Sequence, residues 1–281
     1  MDDLRSSELL GFPADARVLI VNCDDLGMHE DVDVAAVESI EVGIARSASV
    51  MTVGPSAGHA LGLLGQRPGL SFGVHLTLVR DTAADRWGPL TARAEVASLL
   101  DEDGELFTAD RRADLLARAR PEEVEAEFRA QVDAVLDAGL SPTHLDFHCL
   151  VDGGRDDVLD LTTALAAEYG LAVRVWLDEG RRRARRRGLP VVDHPFLDSF
   201  SVDVDTKPDR YARLLRDLPA GLSEWAVHPS LAGARSREVD GGWRVRRSDY
   251  EFLVSPRARE LVDREGITVI DYRALQEAWS R

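Results

Sequence analysis

Short apolar runs alternate along the chain with longer stretches in which apolar residues recur at helical spacing. An apolar run of four to eight residues is typical of a buried strand, whereas apolar positions three and four apart indicate a helix that faces a core. The pattern predicts strands at 17–23, 47–53, 71–76, 143–148, 172–176, 224–227 and 267–270, with the main helices at 30–42, 57–64, 121–138, 156–169, 208–218 and 256–265. Repeated strand–helix units predict an α/β fold whose sheet of parallel strands closes, or nearly closes, into a barrel.

Glycines mark the ends of several predicted helices. Gly43 follows the helix at 30–42, and we expect it to take the left-handed cap conformation that a residue without a Cβ adopts easily. Gly139, Gly170 and Gly266 follow three further helices, and Ser255 is the expected N-cap of the helix at 256–265.

The regular alternation breaks between residues 80 and 120. This stretch contains Trp87-Gly-Pro-Leu and Asp-Glu-Asp-Gly104-Glu-Leu-Phe, which are typical of an inserted excursion rather than of a barrel repeat. A chain of 281 residues with 44% hydrophobic content can bury one large core. We therefore expect residues 1–281 to form a single domain with an excursion at about residues 80–120.

Groups able to bind a metal ion stand where three of the predicted strands end. They are the pair Asp24-Asp25, His75 and His148, and His228 stands at the end of a fourth strand. Active sites of (β/α) barrels lie at the carboxyl ends of the strands. One carboxylate and two neutral imidazoles leave coordination positions free for water and substrate, which is the arrangement of a hydrolytic site. The sequence therefore predicts a metal-dependent hydrolase.

Composition and charge exclude several other classes of protein. The formal net charge of -16 argues against a nucleic-acid binder, because phosphate affinity needs a cationic face. We expect no membrane span and no signal peptide, and hence a cytoplasmic location. Cys23 and Cys149 are expected to be buried, reduced thiols rather than metal ligands or a disulfide.

The motifs around these residues resemble those of a known family. Asn-Cys-Asp24-Asp25-Leu-Gly is similar to the Asn-Ala-Asp-Asp-Phe-Gly signature of the YdjC-like carbohydrate deacetylases, relatives of the polysaccharide deacetylases. Gly-Val-His75-Leu-Thr-Leu, Pro-Thr-His-Leu-Asp-Phe-His148 and Glu-Trp-Ala-Val-His228-Pro resemble their later motifs, in the same order, within residues 18–275. Two departures stand out: Cys149 follows His148 where members often have further histidines, and the late motif ends His-Pro-Ser instead of His-Pro-Gly.

The resemblance implies a distorted (β/α) barrel of about seven parallel strands that removes acetyl groups from N-acetylated amino sugars or chitooligosaccharides. By the same resemblance, Asp25, His75 and His148 hold one divalent ion and Asp24 is the general base. Two imidazoles and a carboxylate favour Zn²⁺, with Mg²⁺ or Co²⁺ as alternatives. His228 is the candidate general acid for the departing amine.

Other residues near these motifs have less specific interpretations. Asp146 is expected either to orient a ligating imidazole or to hydrogen-bond within the barrel, and both readings stay open. His144 is expected to be a hydrogen-bonded core histidine. The Arg181 to Arg187 run is interpreted as a solvated loop that pairs with local acids rather than as a nucleic-acid site.

Trp87 and Trp243, which fall in predicted loops, are the candidate platforms for a sugar ring, although core packing explains either one equally well. Arg247, in the segment that resembles the family's carboxyl end, is a further candidate substrate contact. The expected partner is a small carbohydrate, and a homodimer is left open. The functional alternatives are hydrolysis of another amide or of a phosphoester, and a non-catalytic carbohydrate-binding barrel.

Overall fold

In the computed structural model, which describes residues 4–281, the predicted apolar runs form the strands of one main sheet. The strands of the described chain are β1 (Arg17–Leu26), β2 (Ser47–Val50), β3 (Ser71–Leu76), β4 (Val79–Arg80), β5 (Phe107–Thr108), β6 (His144–Phe147), β7 (Ala172–Val173), β8 (Leu197–Asp198), β9 (Gly221–Val227) and β10 (Ile267–Ile270). Its α-helices are α1 (Ser6–Leu9), α2 (Glu30–Glu41), α3 (Ala57–Gly65), α4 (Arg112–Arg118), α5 (Pro121–Asp137), α6 (Asp156–Tyr169), α7 (Asp178–Arg186), α8 (Lys207–Arg216), α9 (Ala234–Val239), α10 (Trp243–Leu253), α11 (Pro256–Arg264) and α12 (Arg273–Trp279).

The main sheet is parallel throughout, which confirms the predicted α/β class. Seven strands follow one path in the order β7-β6-β3-β2-β1-β9-β8 and form a half-barrel. Strand β1 pairs with β9 along one side. On the other side β10 pairs with the first half of β1, and β2 pairs with the second half. All seven predicted strands are present, and β8 is a short strand that the apolar pattern did not indicate.

The central strands are buried because helices cover them, as is usual for parallel sheets. In β1 every residue after Arg17 is buried, and all six residues of β3 are buried. The apolar run of β1 nevertheless ends in the polar residues Asn22, Asp24 and Asp25, which are also buried. Buried polar groups need partners, and these are the groups of the site described below.

The helix ends agree with the glycine pattern except at one position. Gly139, Gly170 and Gly266 have φ of +74°, +70° and +62°, and Ser255 caps α11 by accepting from the backbone N of Ala258. The prediction for Gly43 is wrong, because this residue does not have a left-handed φ. A Cβ there would lie 2.4 Å from the Ser39 carbonyl oxygen and 2.7 Å from that of Leu253, so close backbone contact is what requires glycine.

Between residues 80 and 120 the chain forms the two-stranded β4–β5 pair, short 3₁₀ turns and α4. Two hydrogen bonds connect this segment to α5: the carboxylate of Glu127 accepts from the backbone N of Leu90 and from that of Thr91.

Residues 181–186 of the arginine run lie in α7 and not in the expected loop, and Arg187 is the C-cap of this helix. Asp178 and Glu179 in the first turn of α7 favour the helix. The expected pairing with nearby acids is present: Arg182 bonds Glu179, and Arg183 contacts Asp160 of α6. None of the helices in residues 4–281 has the length and hydropathy required to cross a bilayer.

Candidate active site

The carboxyl ends of β1, β3, β6 and β9 surround a cavity of about 330 Å³. The sequence-predicted residues Asp24, Asp25, His75, His148 and His228 all line it. The other lining residues are Asp81, Ala109, Phe147, Cys149, Leu150, Val151, Trp176, Asp198, Phe200, Ala226 and Arg246. Parallel strands end at one edge of a sheet, which is why residues far apart in sequence meet here.

Asp25 lies between two imidazoles. Its Oδ1 is 3.2 Å from His75 Nε2 and 3.1 Å from His148 Nδ1. Burial by itself raises the pKa of Asp25, but Arg246 and the two imidazoles outweigh burial and hold the pKa well below its usual value. The φ of Asp25 is +70°, a conformation that is costly for a residue with a Cβ and is common at functional sites.

Asp146 fixes the orientation of one imidazole. Its Oδ1 lies 2.8 Å from His75 Nδ1, and its Oδ2 accepts from Ser49 at 2.8 Å. A carboxylate on Nδ1 leaves Nε2 of His75 directed at Asp25. Burial would lower the pKa of His75, yet the charge and hydrogen bond of Asp146 raise it to about 10. The negative charge of the surrounding carboxylates, which stabilises a proton on His75, also favours the binding of a divalent cation.

These three donors fit a divalent cation. The donor atoms of Asp25, His75 and His148 all lie within 4.8 Å of one another. The distances from Asp25 Oδ1 to the two imidazole nitrogens, 3.1 and 3.2 Å, are close to the roughly 3.3 Å that separates nitrogen and oxygen ligands around a tetrahedral Zn²⁺. The neighbouring set of Asp24, His75 and Asp146 fits less well, because the guanidinium of Arg174 already occupies both of its carboxylates.

Asp24 is held by a bidentate ion pair. Arg174 donates from Nη1 to Oδ2 at 2.7 Å and from Nη2 to Oδ1 at 2.9 Å. Oδ1 also accepts from Asn22 at 2.7 Å. Oδ2 accepts only from Arg174 within the described chain, so this oxygen retains a lone pair for a further partner.

Arg174 connects Asp24 to a wider buried network that the sequence analysis missed. Its Nε donates to Glu224 Oε1 at 2.8 Å, and its Nη1 lies 2.7 Å from Asp146 Oδ2. Glu224 also accepts from Trp176 and Tyr272, at 2.9 and 2.8 Å. The available signal was a charged residue inside the apolar run at 172–176, since a buried charge is paired in native proteins.

The second missed cation is Arg246, on α10. It donates from Nη1 to Asp25 Oδ2 at 2.7 Å, and its side chain is 2% exposed. Sequence reasoning named its neighbour Arg247, which instead bonds Glu251 and the carbonyl of Leu231 and does not line the cavity. Successive residues of a helix point about 100° apart, so only one of the two enters the site.

His228 lies at the end of β9, at the wall of the cavity. Its Nδ1 is 2.8 Å from Ser199 Oγ, and its backbone N donates to Asp249 at 3.0 Å. The ring of Phe200 packs edge-on against it at 4.8 Å. With Nδ1 engaged, Nε2 is the ring nitrogen left for a substrate.

The two proposed sugar platforms do not line the cavity. Trp87 is buried, donates from Nε1 to the Val79 carbonyl at 3.2 Å, and packs edge-on against His148. Trp243 begins α10 instead of lying in a loop, with the guanidinium of Arg237 over its ring. The aromatic residues that do line the cavity are Phe147, Trp176 and Phe200. Phe200 is 43% exposed, which single-sequence patterns do not reveal.

His144 and the two thiols have distinct environments. His144 is buried as expected, stacks on Tyr272 at 3.6 Å, and has its pKa lowered to about 3 by burial. Cys23 is buried, but the prediction for Cys149 is wrong, because its side chain is exposed. Its Sγ lies 3.5 Å from His148 Nε2, at the wall of the cavity.

Comparisons with known proteins identify relatives that align with most of this chain. A carbohydrate deacetylase from Geobacillus stearothermophilus is 31% identical over 258 residues, which cover 92% of this chain and 97% of that protein. A chitooligosaccharide deacetylase from Serratia marcescens is 28% identical over 221 residues, covering 78% of this chain and 83% of the relative.

Solved structures share the fold. A candidate cellobiose-phosphate cleavage protein from Enterococcus faecalis aligns with a TM-score of 0.78 at 25% identity, covering 92% of this chain and 99% of that one. A peptidoglycan deacetylase from Bacillus subtilis has a TM-score of 0.50 at 14% identity, covering 95% and 93%, a likeness of fold alone. The family model described as YdjC-like protein matches residues 18–264, a range that includes every strand end at the cavity. This chain therefore belongs to the YdjC-like family.

Proposed function

We propose that this protein is a metal-dependent deacetylase of N-acetylated amino sugars or of chitooligosaccharides. The observation that carries the proposal is the position of Asp25 Oδ1 between His75 Nε2 and His148 Nδ1, with Asp24 next in the chain and in the same cavity. The names of the curated relatives support the same activity, since they are carbohydrate deacetylases and, in one case, a chitooligosaccharide deacetylase.

Asp25, His75 and His148 are the proposed ligands of one divalent ion, with Zn²⁺ favoured by the two imidazoles and Co²⁺ or Mg²⁺ as alternatives. When bound, such an ion polarises an amide carbonyl and makes a water molecule more acidic. Two further residues orient the proposed ligands: Asp146 contacts His75 at Nδ1, and Arg246 donates to Asp25 at Oδ2.

Asp24 is the proposed general base, and the proton is received at Oδ2. That oxygen has a single donor in the described chain, whereas Oδ1 is shared by Arg174 and Asn22. The bidentate contact with Arg174 fixes the plane of the carboxylate, so that little reorientation is needed when Oδ2 accepts a proton from the attacking water.

His228 is the proposed general acid. An amine leaves a tetrahedral intermediate only when it is protonated, and Nε2 of His228 is the nitrogen available for this step, because Nδ1 contacts Ser199. Phe200 beside it is the candidate surface for the apolar face of a sugar ring.

The test is acetate release from N-acetylglucosamine and its oligomers by purified protein that has been stripped of metal and reconstituted with Zn²⁺ or Co²⁺. We expect activity that a chelator removes and the ion restores. Full turnover in protein shown by elemental analysis to be free of metal would contradict the proposal. Release of phosphate from sugar phosphates without acetate release would favour the phosphoester alternative, and substrate binding without any turnover would favour a non-catalytic barrel.

The adjacent carboxylates separate metal binding from proton transfer. Asp25→Asn should lower the bound metal measured by elemental analysis, whereas Asp24→Asn should retain the metal and lose turnover on the order of 10²-fold or more. The two variants are matched controls for each other, because they make the same change at neighbouring positions. Metal loss in Asp24→Asn alone would exchange the two roles, and near wild-type rates in both would contradict the mechanism.

A further inference from the structure

The imidazole of His148 lies between two different sets of donor atoms. Its Nδ1 is 3.1 Å from Asp25, in the buried set described above. Its Nε2 is 2.8 Å from Asp81 Oδ1 and 3.5 Å from Cys149 Sγ, and these two atoms are 3.8 Å apart. Asp81, His148 and Cys149 therefore form a second group of three possible ligands, called here the outer triad.

The outer triad has dimensions suited to a tetrahedral ion. Ligands around Zn²⁺ are separated by roughly 3.5 Å when one is sulfur, and by roughly 3.3 Å when both are nitrogen or oxygen. The two sulfur edges, 3.5 and 3.8 Å, and the third edge, 2.8 Å, approach these values. All three residues line the cavity, so water can complete the coordination.

Its ligand chemistry and accessibility differ from those of the inner set. A thiolate, an imidazole and a carboxylate favour Zn²⁺ or Cd²⁺ and disfavour Mg²⁺, which prefers oxygen ligands. Cys149 is exposed and the Asp81 side chain is 30% exposed, whereas the side chains of Asp25 and His75 are only 2–3% exposed. A cation from solvent meets the outer triad first.

We propose that the outer triad is a second binding site for thiophilic divalent cations, and that it competes with the inner set for His148. A neutral imidazole offers a lone pair at one nitrogen only, while the other carries a proton. An ion bound through Nε2, with the Cys149 thiol proton released to solvent as the sulfur–metal bond forms, takes His148 away from Asp25 and His75. Excess Zn²⁺ therefore inhibits, a consequence that rests on the proposed function.

Binding at the outer triad is tested without reference to activity. Cd²⁺ is added to the full-length protein, and the ultraviolet charge-transfer band of cadmium–thiolate coordination is recorded. We expect a band that corresponds to one thiolate per chain. Cys149→Ser should abolish it, and Cys23→Ala, the change at the buried thiol, should preserve it. Absence of the band in wild type, or its persistence in Cys149→Ser, would overturn the site.

The competition is tested by acetate release at rising Zn²⁺, with each protein normalised to its own rate at one equivalent. Wild type should lose activity as Zn²⁺ exceeds one equivalent, and both Cys149→Ser and Asp81→Asn should require at least about tenfold more Zn²⁺ for the same loss. Identical inhibition curves for the three proteins would overturn the competition. If no substrate is turned over under any condition, the proposed function fails while the cadmium band still decides the site.

Discussion

Replacing Arg174 by Met removes the one cation shared by three buried carboxylates. Arg174 contacts Asp24, Asp146 and Glu224 at 2.7 to 2.9 Å, and its side chain is 3% exposed. Breaking a buried ion pair by removing one partner costs about 3–5 kcal/mol, because the remaining charge stays desolvated. We expect at least that loss here, out of the roughly 5–15 kcal/mol that typically separates folded from unfolded domains.

The loss should depend on pH in a defined direction. Burial raises the pKa of Glu224 and Arg174 opposes that rise, so in the folded variant the pKa of Glu224 should lie further above its unfolded value. A carboxyl group with a raised folded pKa contributes stability at low pH and loses it as the pH rises. The deficit of Arg174→Met relative to wild type should therefore be larger at about pH 7.5 than at about pH 5.

The assay is urea unfolding followed by circular dichroism, with chelator present so that metal binding does not add to the stability of either protein. Arg182→Met is the matched control, because the same change on α7 removes an exposed pair with Glu179 and should leave the midpoint unchanged. The reasoning is refuted if Arg174→Met costs less than about 1 kcal/mol, or if its deficit is the same at both pH values.

Three further predictions concern residues of β3 and β6 and the residue that follows β9. Gly73→Ala should cost about 1–3 kcal/mol in urea unfolding, because a Cβ would lie 2.6 Å from the His144 ring, which is stacked on Tyr272; Gly58→Ala, with open space around it, should cost nothing. The pKa of His144 is about 3 in the folded protein and about 6.5 in the unfolded chain. Between pH 6.5 and pH 3 the unfolded chain therefore binds one more proton at this residue than the folded protein does, and acid destabilises the fold. Wild type should therefore lose about 2 kcal/mol more than His144→Leu between pH 7.5 and pH 5, and equal slopes would contradict this. His228→Ala should slow a sugar amide far more than an activated ester, whose leaving group needs no proton, without changing the metal content; equal losses would assign His228 to substrate positioning.

Much of the site could be predicted because its residues are read from local patterns. An apolar run that stops at a polar residue marks a strand end, and parallel strand ends meet at one edge of the sheet. Asp25, His75 and His148 each satisfy this rule. Arg174 and Arg246 do not, because the contacts that give them a role join them to Asp24 and Asp25 across 150 and 221 residues of chain.

The errors at the aromatic residues have a related cause. Trp87 lies in a segment without regular strands or helices at that point, and such segments are usually at the surface. In the folded protein this segment packs against the barrel, so that the indole of Trp87 donates to the Val79 carbonyl and packs beside His148. Conversely, nothing in the local sequence around Phe200 distinguishes it, and only the tertiary fold brings this exposed ring to His228.

Asp24 and Asp25 are consecutive residues that both line the cavity, and their position at the end of a strand does not by itself explain this. Side chains on a regular strand alternate between faces, so consecutive residues cannot both point into one cavity. In β1 the pairing with β2 shifts register between Cys23 and Leu26, and Asp25 has a φ of +70°. A bulge of this kind redirects a side chain beside an active site. The strain at Asp25 is therefore the local feature that lets one strand supply both a proposed metal ligand and a proposed base, and period-two alternation in the sequence cannot predict it.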